Sequence, residues 1–323
     1  MTTANSRTAR TRFHPTTARA PVTLPPMPGE RQARAAYPPV DLERSWFDGD
    51  ELLFEREGGF DRALAKGFFL LRIPDGLDTG PGDRFATHFH EDPAGDGLDP
   101  YRGYRHADVP GTYQGYFDRE HDQWENFYIE RANWALLPPE VTELGHRMTG
   151  LGVAVLRAVL RHVEVPQDLW SEVSGGLSDN GGHQMLAFNH FRSQKETRGC
   201  KFHRDSGWVT VLRSFEPGLL ALIDGELGAV NPEPGHFIVN FGSSLEVLTS
   251  ALPRPVRANV HGVVSTERPA GRADRISYVT FLDSALDGTV YRLDDGGTAH
   301  PVQSVADFAV QEVSRTYDND GAL

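Results

Sequence analysis

The chain has one cysteine in 323 residues, Cys200, so it cannot close an internal disulfide. That absence fits a reducing, cytoplasmic setting. No apolar run approaches the ~18 residues needed to cross a bilayer, which excludes a spanning helix and a membrane partner of that kind. The arginine-bearing N-terminus lacks the apolar stretch of a secretory signal. Positive charge is in deficit: 32 Lys and Arg stand against 45 Asp and Glu, for a net charge of -13. Such a chain repels phosphate backbones, so nucleic acid is not an expected partner. Internal repeats and a low-complexity core are also missing. The composition is that of an ordinary globular protein, 39% hydrophobic and 24% charged, and does not speak to oligomeric state.

Residues 1–36 carry Thr, Ala, Pro and dispersed arginines without periodicity, and read as a disordered or surface-lying arm. The remainder, 37–323, reads as one domain. It comprises a mostly helical part to about residue 180, a β core over 181–290 and a C-terminal extension over 291–323. In the first part, Tyr37–Leu42 is predicted as a short strand. A helix over 60–65 is stopped by Gly67, and a buried strand follows over 68–73. Pro138-Pro139 opens the clearest helix: Val141, Leu144, Met148, Leu151, Val155, Val159 and Val163 recur at three- and four-residue steps. A shorter helix is expected over 168–173. The second half is a succession of short strands: 183–191, 201–205, 209–215, 219–224, 236–241, 257–264 and 275–282. Asp224-Gly225 is a hairpin signal. Many short strands without intervening helices predict a mainly β sandwich or jelly roll with flanking helices.

The chemistry concentrates at Cys200-Lys201-Phe202-His203-Arg204-Asp205. On a strand, residues two apart point to one face, so the His203 imidazole and the Asp205 carboxylate can meet one metal. His261, 58 residues on in another strand-like run, adds a second imidazole. Two imidazoles and one carboxylate on one side of a metal, with open positions opposite, is the ligand pattern of non-haem Fe(II) oxygenases. Each residue alone has a plainer reading, as a surface or structural group. Cys200 reads as a small buried or pocket-lining residue beside the site.

His203-x-Asp205, the distal His261 and Arg275-Ile276-Ser277 together resemble the motif of the Fe(II)/2-oxoglutarate-dependent dioxygenases, in the branch resembling isopenicillin N synthase. The resemblance extends over about residues 37–290. It implies a double-stranded β-helix with the metal at the open mouth of the barrel. It also implies 2-oxoglutarate as co-substrate and O2 as oxidant, with succinate and CO2 as products and ascorbate as a supporting reductant in vitro. Arg275 would anchor the distal carboxylate of the oxoacid in a bidentate fork, with Ser277 beside it. Arg268 and Arg272 are alternative anchors in a Pro/Gly loop. Asn189-His190-Phe191 stands where the plant-type members often carry Asn-Tyr-Tyr, so Asn189 would contact the oxoacid and Phe191 lacks the usual hydroxyl. Gly262 follows His261 where the family usually has arginine.

By strand parity and family position Phe281, Val279, Ser206 and Leu212 face the substrate; each is equally an ordinary core residue. Residues 93–120 read as a long loop in which Tyr101, Arg102, Tyr104 and Arg105 line a pocket mouth. His88 and His90 fall on what resembles a surface helix, where residues two apart do not face each other. Trp124, Phe127, Tyr128 and Trp134 read as core before substrate stacking. The expected function is hydroxylation of an unactivated C–H bond in a small natural-product intermediate, derived from an amino acid or peptide, as in antibiotic biosynthesis and other secondary metabolism. Asp205 disfavours halogenation. Desaturation, epoxidation and cyclisation use the same centre. Two further readings stay open: an oxidase of the same fold that uses O2 without the oxoacid, and a non-catalytic jelly-roll binding protein.

Overall fold

The computed structural model describes residues 37–93, 95, 99–266 and 273–314. The N-terminal arm and the alternative anchors Arg268 and Arg272 lie outside the described residues. The chain begins with a hairpin of β1 (Glu43–Asp48) and β2 (Glu51–Phe54). The strand expected over 37–42 therefore starts later. Pro38 and Pro39 have no N–H for a ladder, and Pro39 makes only an isolated bridge to Ala229. Helix α1 (Gly59–Lys66) ends at Gly67, whose φ of 70° is the left-handed value that glycine adopts freely. Strand β3 (Phe68–Arg72) follows, then α2 (Gly80–His88), β4 (Gly115–Asp118), β5 (Trp124–Glu130), α3 (Pro139–His162) and α4 (Trp170–Val173).

The second half holds β6 (His183–Phe191), β7 (Cys200–His203), β8 (Val209–Ser214), β9 (Leu219–Ile223), β10 (Glu226–Ala229) and β11 (His236–Phe241). After these come α5 (Ser243–Thr249), β12 (His261–Val263) and β13 (Arg275–Asp283). A two-stranded ribbon, β14 (Thr289–Leu293) with β15 (Ala299–Ser304), precedes α6 (Val305–Ser314). Asp224 and Gly225 both take positive φ, 52° and 85°, and make the tight β9–β10 turn.

Two sheets face each other, as the double-stranded β-helix requires. The larger runs β2-β1-β3-β11-β8-β13-β6-β5-β4 and the smaller β10-β9-β12-β7. Five strands of the larger sheet come from before residue 180. The expected division into a helical part and a β core thus fails as a structural boundary, because the early strands complete the same sheet. Alternation along β13 sorts its two faces. Thr280 Oγ1 meets Thr149 Oγ1 of α3 at 3.2 Å, and a Cβ added at Gly152 of α3 would lie 2.3 Å from Leu282 Cδ1. Tyr278, Thr280 and Leu282 therefore face the helix layer, and glycine is what lets α3 lie so close. Arg275, Ser277, Val279 and Phe281 face the smaller sheet. Phe68, Leu70, Ile238 and Phe191 pack there against Cys200, Leu219, Ala221 and Val263 of the smaller sheet. Met148, fully buried on α3, anchors the helix layer; its truncation to alanine would cost about 2–5 kcal/mol.

Candidate metal centre and co-substrate site

β12 pairs with β7 so that His261 stands directly opposite His203, with ring centroids 4.7 Å apart. Asp205 lies two residues past the end of β7, so its position does not come from strand alternation as expected. The loop is pinned instead: Ser243 N, at the start of α5, donates to Asp205 O at 2.8 Å. The carboxylate is then aimed by two donors on neighbouring strands of the larger sheet. Thr210 Oγ1 and Asn240 Nδ2, register partners in β8 and β11, each donate to Asp205 Oδ2 at 2.7 Å. This leaves Oδ1 facing the imidazoles. Nε2 of His203 and Nε2 of His261 each stand 3.6 Å from it.

These residues fit a metal ion on two counts. Their ligand atoms all lie within 4.8 Å of one another. Each imidazole also uses Nδ1 on a backbone carbonyl two residues upstream: Lys201 O at 2.9 Å for His203 and Asn259 O at 3.0 Å for His261. That bond fixes the tautomer whose Nε2 lone pair is available to a metal. Burial favours a neutral Asp205, but the charge of His261, the bond and charge of His203 and the Thr210 hydroxyl outweigh it and hold the carboxyl well below its ordinary range. Burial lowers His261. It also works against His203, where the bond to Asp205 prevails and raises the group. An ionised carboxylate beside two imidazoles is a donor set that suits Fe(II).

The residues expected at the oxoacid site meet on the inner face of the larger sheet. Arg275 stands opposite Phe191, and Ser277 opposite both Asn189 and Ser214. Arg275 is buried; its Nη2 donates to Ser214 Oγ at 3.2 Å, and its guanidinium lies 4.5 Å from the Phe191 ring. Asn189 Nδ2 donates to Ser277 Oγ at 3.4 Å, and Asn189 Oδ1 is buried without a partner. Val279 and Leu212 form the next row of this face, and Phe281 lies opposite Thr210, next to the carboxylate. Ser206 Oγ donates to Asp283 Oδ1 at 3.3 Å. Cys200 is buried between the sheets.

Tyr104 is the exception among the expected pocket residues. Its ring packs on Phe85 and Phe127, and its hydroxyl donates to Leu136 O at 3.3 Å. Phe127 belongs to the helix-facing side of β5, so Tyr104 is on the wrong side of the sheet to touch the site. Tyr101 donates to Glu140 and Arg105 pairs with Glu125; these too are spent away from the pocket. His90 is likewise not a surface residue. It stacks on His190 with centroids 3.7 Å apart, and His190 Nδ1 meets Glu125 Oε1 at 2.8 Å. These three side chains could converge on an ion. However, His190 Nε2 is engaged by Asp274 at 3.3 Å, and Arg105 and Arg192 crowd Glu125 at 3.1 and 3.5 Å. Two cations beside the carboxylate oppose a third, so the cluster acts as a buried polar brace.

Sequence reading passed over Thr210, Asn240 and Asp283. The signal for the first two was a polar residue at an inward-facing position between apolar neighbours, Val209-Thr210-Val211 and Val239-Asn240-Phe241. Asp283 is pushed up to about 7, by burial first and by the charge of Asp205 second.

Residues 182–284 match the 2OG-Fe(II) oxygenase superfamily. That segment carries all three candidate ligands and the Arg275–Ser277 pair, and the resemblance to the isopenicillin N synthase branch is consistent with the match. The chain is similar to Protein DMR6-LIKE OXYGENASE 2 of Arabidopsis thaliana, with 29% identity over 169 residues, 51% of this chain and 46% of that one. It therefore spans about half the length of that relative. Among solved structures it resembles the dioxygenase for auxin oxidation of rice (TM-score 0.61, 22% identity, 85% of this chain and 95% of the other). It also resembles a full-length Neurospora crassa protein in complex with alpha-KG and 5-formyluracil (TM-score 0.59, 17% identity, 80% and 88%). At these identities the structures establish the shared double-stranded β-helix. No helix among the described residues is long and apolar enough to cross a membrane.

Proposed function

We propose that the protein is an Fe(II)- and 2-oxoglutarate-dependent oxygenase that hydroxylates an unactivated C–H bond of a small organic molecule, a natural-product intermediate. One observation carries this reading: the two Nε2 atoms each 3.6 Å from one carboxylate oxygen, on a face that also holds a buried arginine. His203, Asp205 and His261 would hold the ion. Held there, Fe(II) would supply the O2 chemistry that links decarboxylation of 2-oxoglutarate to insertion of one oxygen atom into the substrate, the other going into succinate. The chain's own residues bind and orient. Lys201 O and Asn259 O hold the imidazoles in one tautomer. Thr210 and Asn240 hold Asp205 ionised and fixed. Arg275 receives the distal carboxylate of the oxoacid, where a guanidinium keeps its charge when buried. Asn189 Oδ1, buried and unpartnered, offers an acceptor beside it. Ser277 supports that amide.

The similar rice protein is described as oxidising auxin, and the Neurospora crassa protein was seen with 5-formyluracil; both are small molecules, which supports a substrate of that size. An oxidase of the same fold could use Arg275 for a substrate carboxylate, and oxygen consumption without 2-oxoglutarate would mark that reaction.

The test is anaerobic addition of Fe(II) and 2-oxoglutarate to the full chain, watching for the weak visible charge-transfer band of a chelated oxoacid. A band that vanishes in His203→Ala and weakens in Arg275→Gln supports the reading. Binding of neither Mn(II) nor Fe(II) by calorimetry would return the protein to the class of non-catalytic jelly rolls.

A further inference from the structure

A second arginine faces the inner side of the larger sheet, at its β4 edge. β4 and β5 pair with Phe117 opposite Asn126, and β5 pairs with β6 so that Asn126 stands opposite Asn189. Phe117, Trp124, Asn126 and Tyr128 therefore share the face that carries Asn189, Ser277 and Arg275. Arg119, one residue past β4, folds back over them. Its guanidinium carbon is 4.9 Å from the Phe117 ring, 5.5 Å from Trp124 and 5.9 Å from Tyr128. Trp124 and Tyr128 lie two residues to either side of Asn126, so the cation sits above that amide.

No carboxylate among the described residues balances this charge. The neighbouring acids are spent elsewhere: Asp118 on Arg192 at 2.7 Å and Asp122 on Arg198 at 2.5 Å. Arg119 Nε is buried and makes no hydrogen bond, and Asn126, 0% exposed, has neither amide atom partnered. A buried polar group left unpaired costs about 1–3 kcal/mol, and native structures leave few without a reason. The aromatic rings account for the stacking of the guanidinium, but not for the open Nε donor or the idle amide. Tyr128 is pushed up to about 12 by burial, against the charge of Arg119 and a hydrogen bond from its guanidinium. Arg275 is a separate cation, on β13, with β6 and β5 between it and the β4 edge.

We propose that Arg119, with Asn126 beneath it, anchors the carboxylate of the substrate, so that the molecule oxidised is a small carboxylic acid whose apolar body lies against Phe117, Trp124 and Tyr128. A guanidinium fork meets a carboxylate in two parallel bonds, the amide N–H of Asn126 adds a third donor, and the rings give an apolar wall. Fixing the acid end at the sheet edge directs the other end toward His203 and His261.

This inference rests on the oxygenase reading, and the experiment separates the two. The anaerobic Fe(II)–2-oxoglutarate complex is titrated with phenylacetate and hexanoate, and in parallel with phenylacetamide and hexanamide, following the change in the visible band. The acids should perturb wild-type protein at tenfold or more lower concentration than the matched amides. Arg119→Gln should erase that difference, and Arg119→Lys should keep part of it, while half-saturation by 2-oxoglutarate stays within threefold of wild type. Acid and amide acting alike, or a preference that survives Arg119→Gln, overturns the proposal. So does a loss of oxoacid binding in Arg119→Gln that equals the loss in Arg275→Gln. Absence of the band in wild-type protein overturns the oxygenase reading instead.

Discussion

The guanidinium of Arg275 lies 4.5 Å from the ring of Phe191, directly across the β13–β6 ladder. The ring occupies the place where plant-type relatives of this fold often have tyrosine. It gives up a hydroxyl and keeps a π face against a buried cation. Such a contact is worth about 1–2 kcal/mol when desolvated. Phe191→Leu should therefore raise half-saturation by 2-oxoglutarate about fivefold, read from the charge-transfer titration. Phe191→Tyr should hold or lower it. Equal values for all three proteins would remove the ring from the site.

The donors behind Asp205 give a second prediction. Asn240→Leu removes a 2.7 Å bond to Oδ2 without touching a ligand atom. Partners of this kind typically contribute 10–100-fold in metal affinity. Mn(II) calorimetry should show a loss of about that size, with an unchanged circular dichroism spectrum. Thr210→Val should act in the same direction through the other bond.

The stacked histidines on the opposite face contribute to the acid sensitivity of the fold. His90 is lowered from 6.5 to about 4 by burial first and by His190 second, with Arg105 adding and Glu125 and Glu91 opposing. The unfolded chain takes up this proton at the ordinary value and the folded one resists it. Stability from this group is thus complete above pH 6.5 and lost as pH falls toward 4. For Glu125 burial alone would raise the group, but the bonds from His190 and Tyr116 prevail and hold it at about 2; its contribution is present above pH 4.5 and is lost between 4.5 and 2. Both slopes have one sign. His90→Phe keeps a stacking ring and cannot titrate, so its denaturation midpoint should depend less on pH between 6.5 and 4. The difference should be on the order of 1–2 kcal/mol after allowing for partial exposure.

Gly262, next to the candidate ligand His261, gives a prediction about packing. A Cβ there would lie 2.8 and 2.9 Å from Phe202 ring atoms and 3.1 Å from Cys200 O. Gly262→Ala should cost about 1–3 kcal/mol in thermal denaturation, and Phe202→Leu in the same chain should recover part of it. A cost that the second change leaves untouched would assign the obstacle to the backbone of β7 instead of the ring.

What could be read in advance follows how local each cause is. The α3 stripe, the Gly67 stop, the Asp224-Gly225 turn and the strands β6 and β11 were legible because each depends on neighbours a few residues away. Tyr104 and His90 were misplaced for the opposite reason. Which face of a sheet a loop tyrosine covers, or which distant ring a histidine stacks on, depends on partners more than twenty residues off.

Sequence alone singled out the candidate trio and the Arg275-x-Ser277 pair, because residue type and spacing are written in the chain, and a period of two turns Arg275 and Ser277 to one face. Only the tertiary structure decided that Asp205 is aimed by Thr210 and Asn240, and that Arg119 comes to rest above Asn126. Those relations need strands from remote parts of the chain brought into register. The burial that makes their hydrogen bonds and charges count exists only once the two sheets have closed on each other.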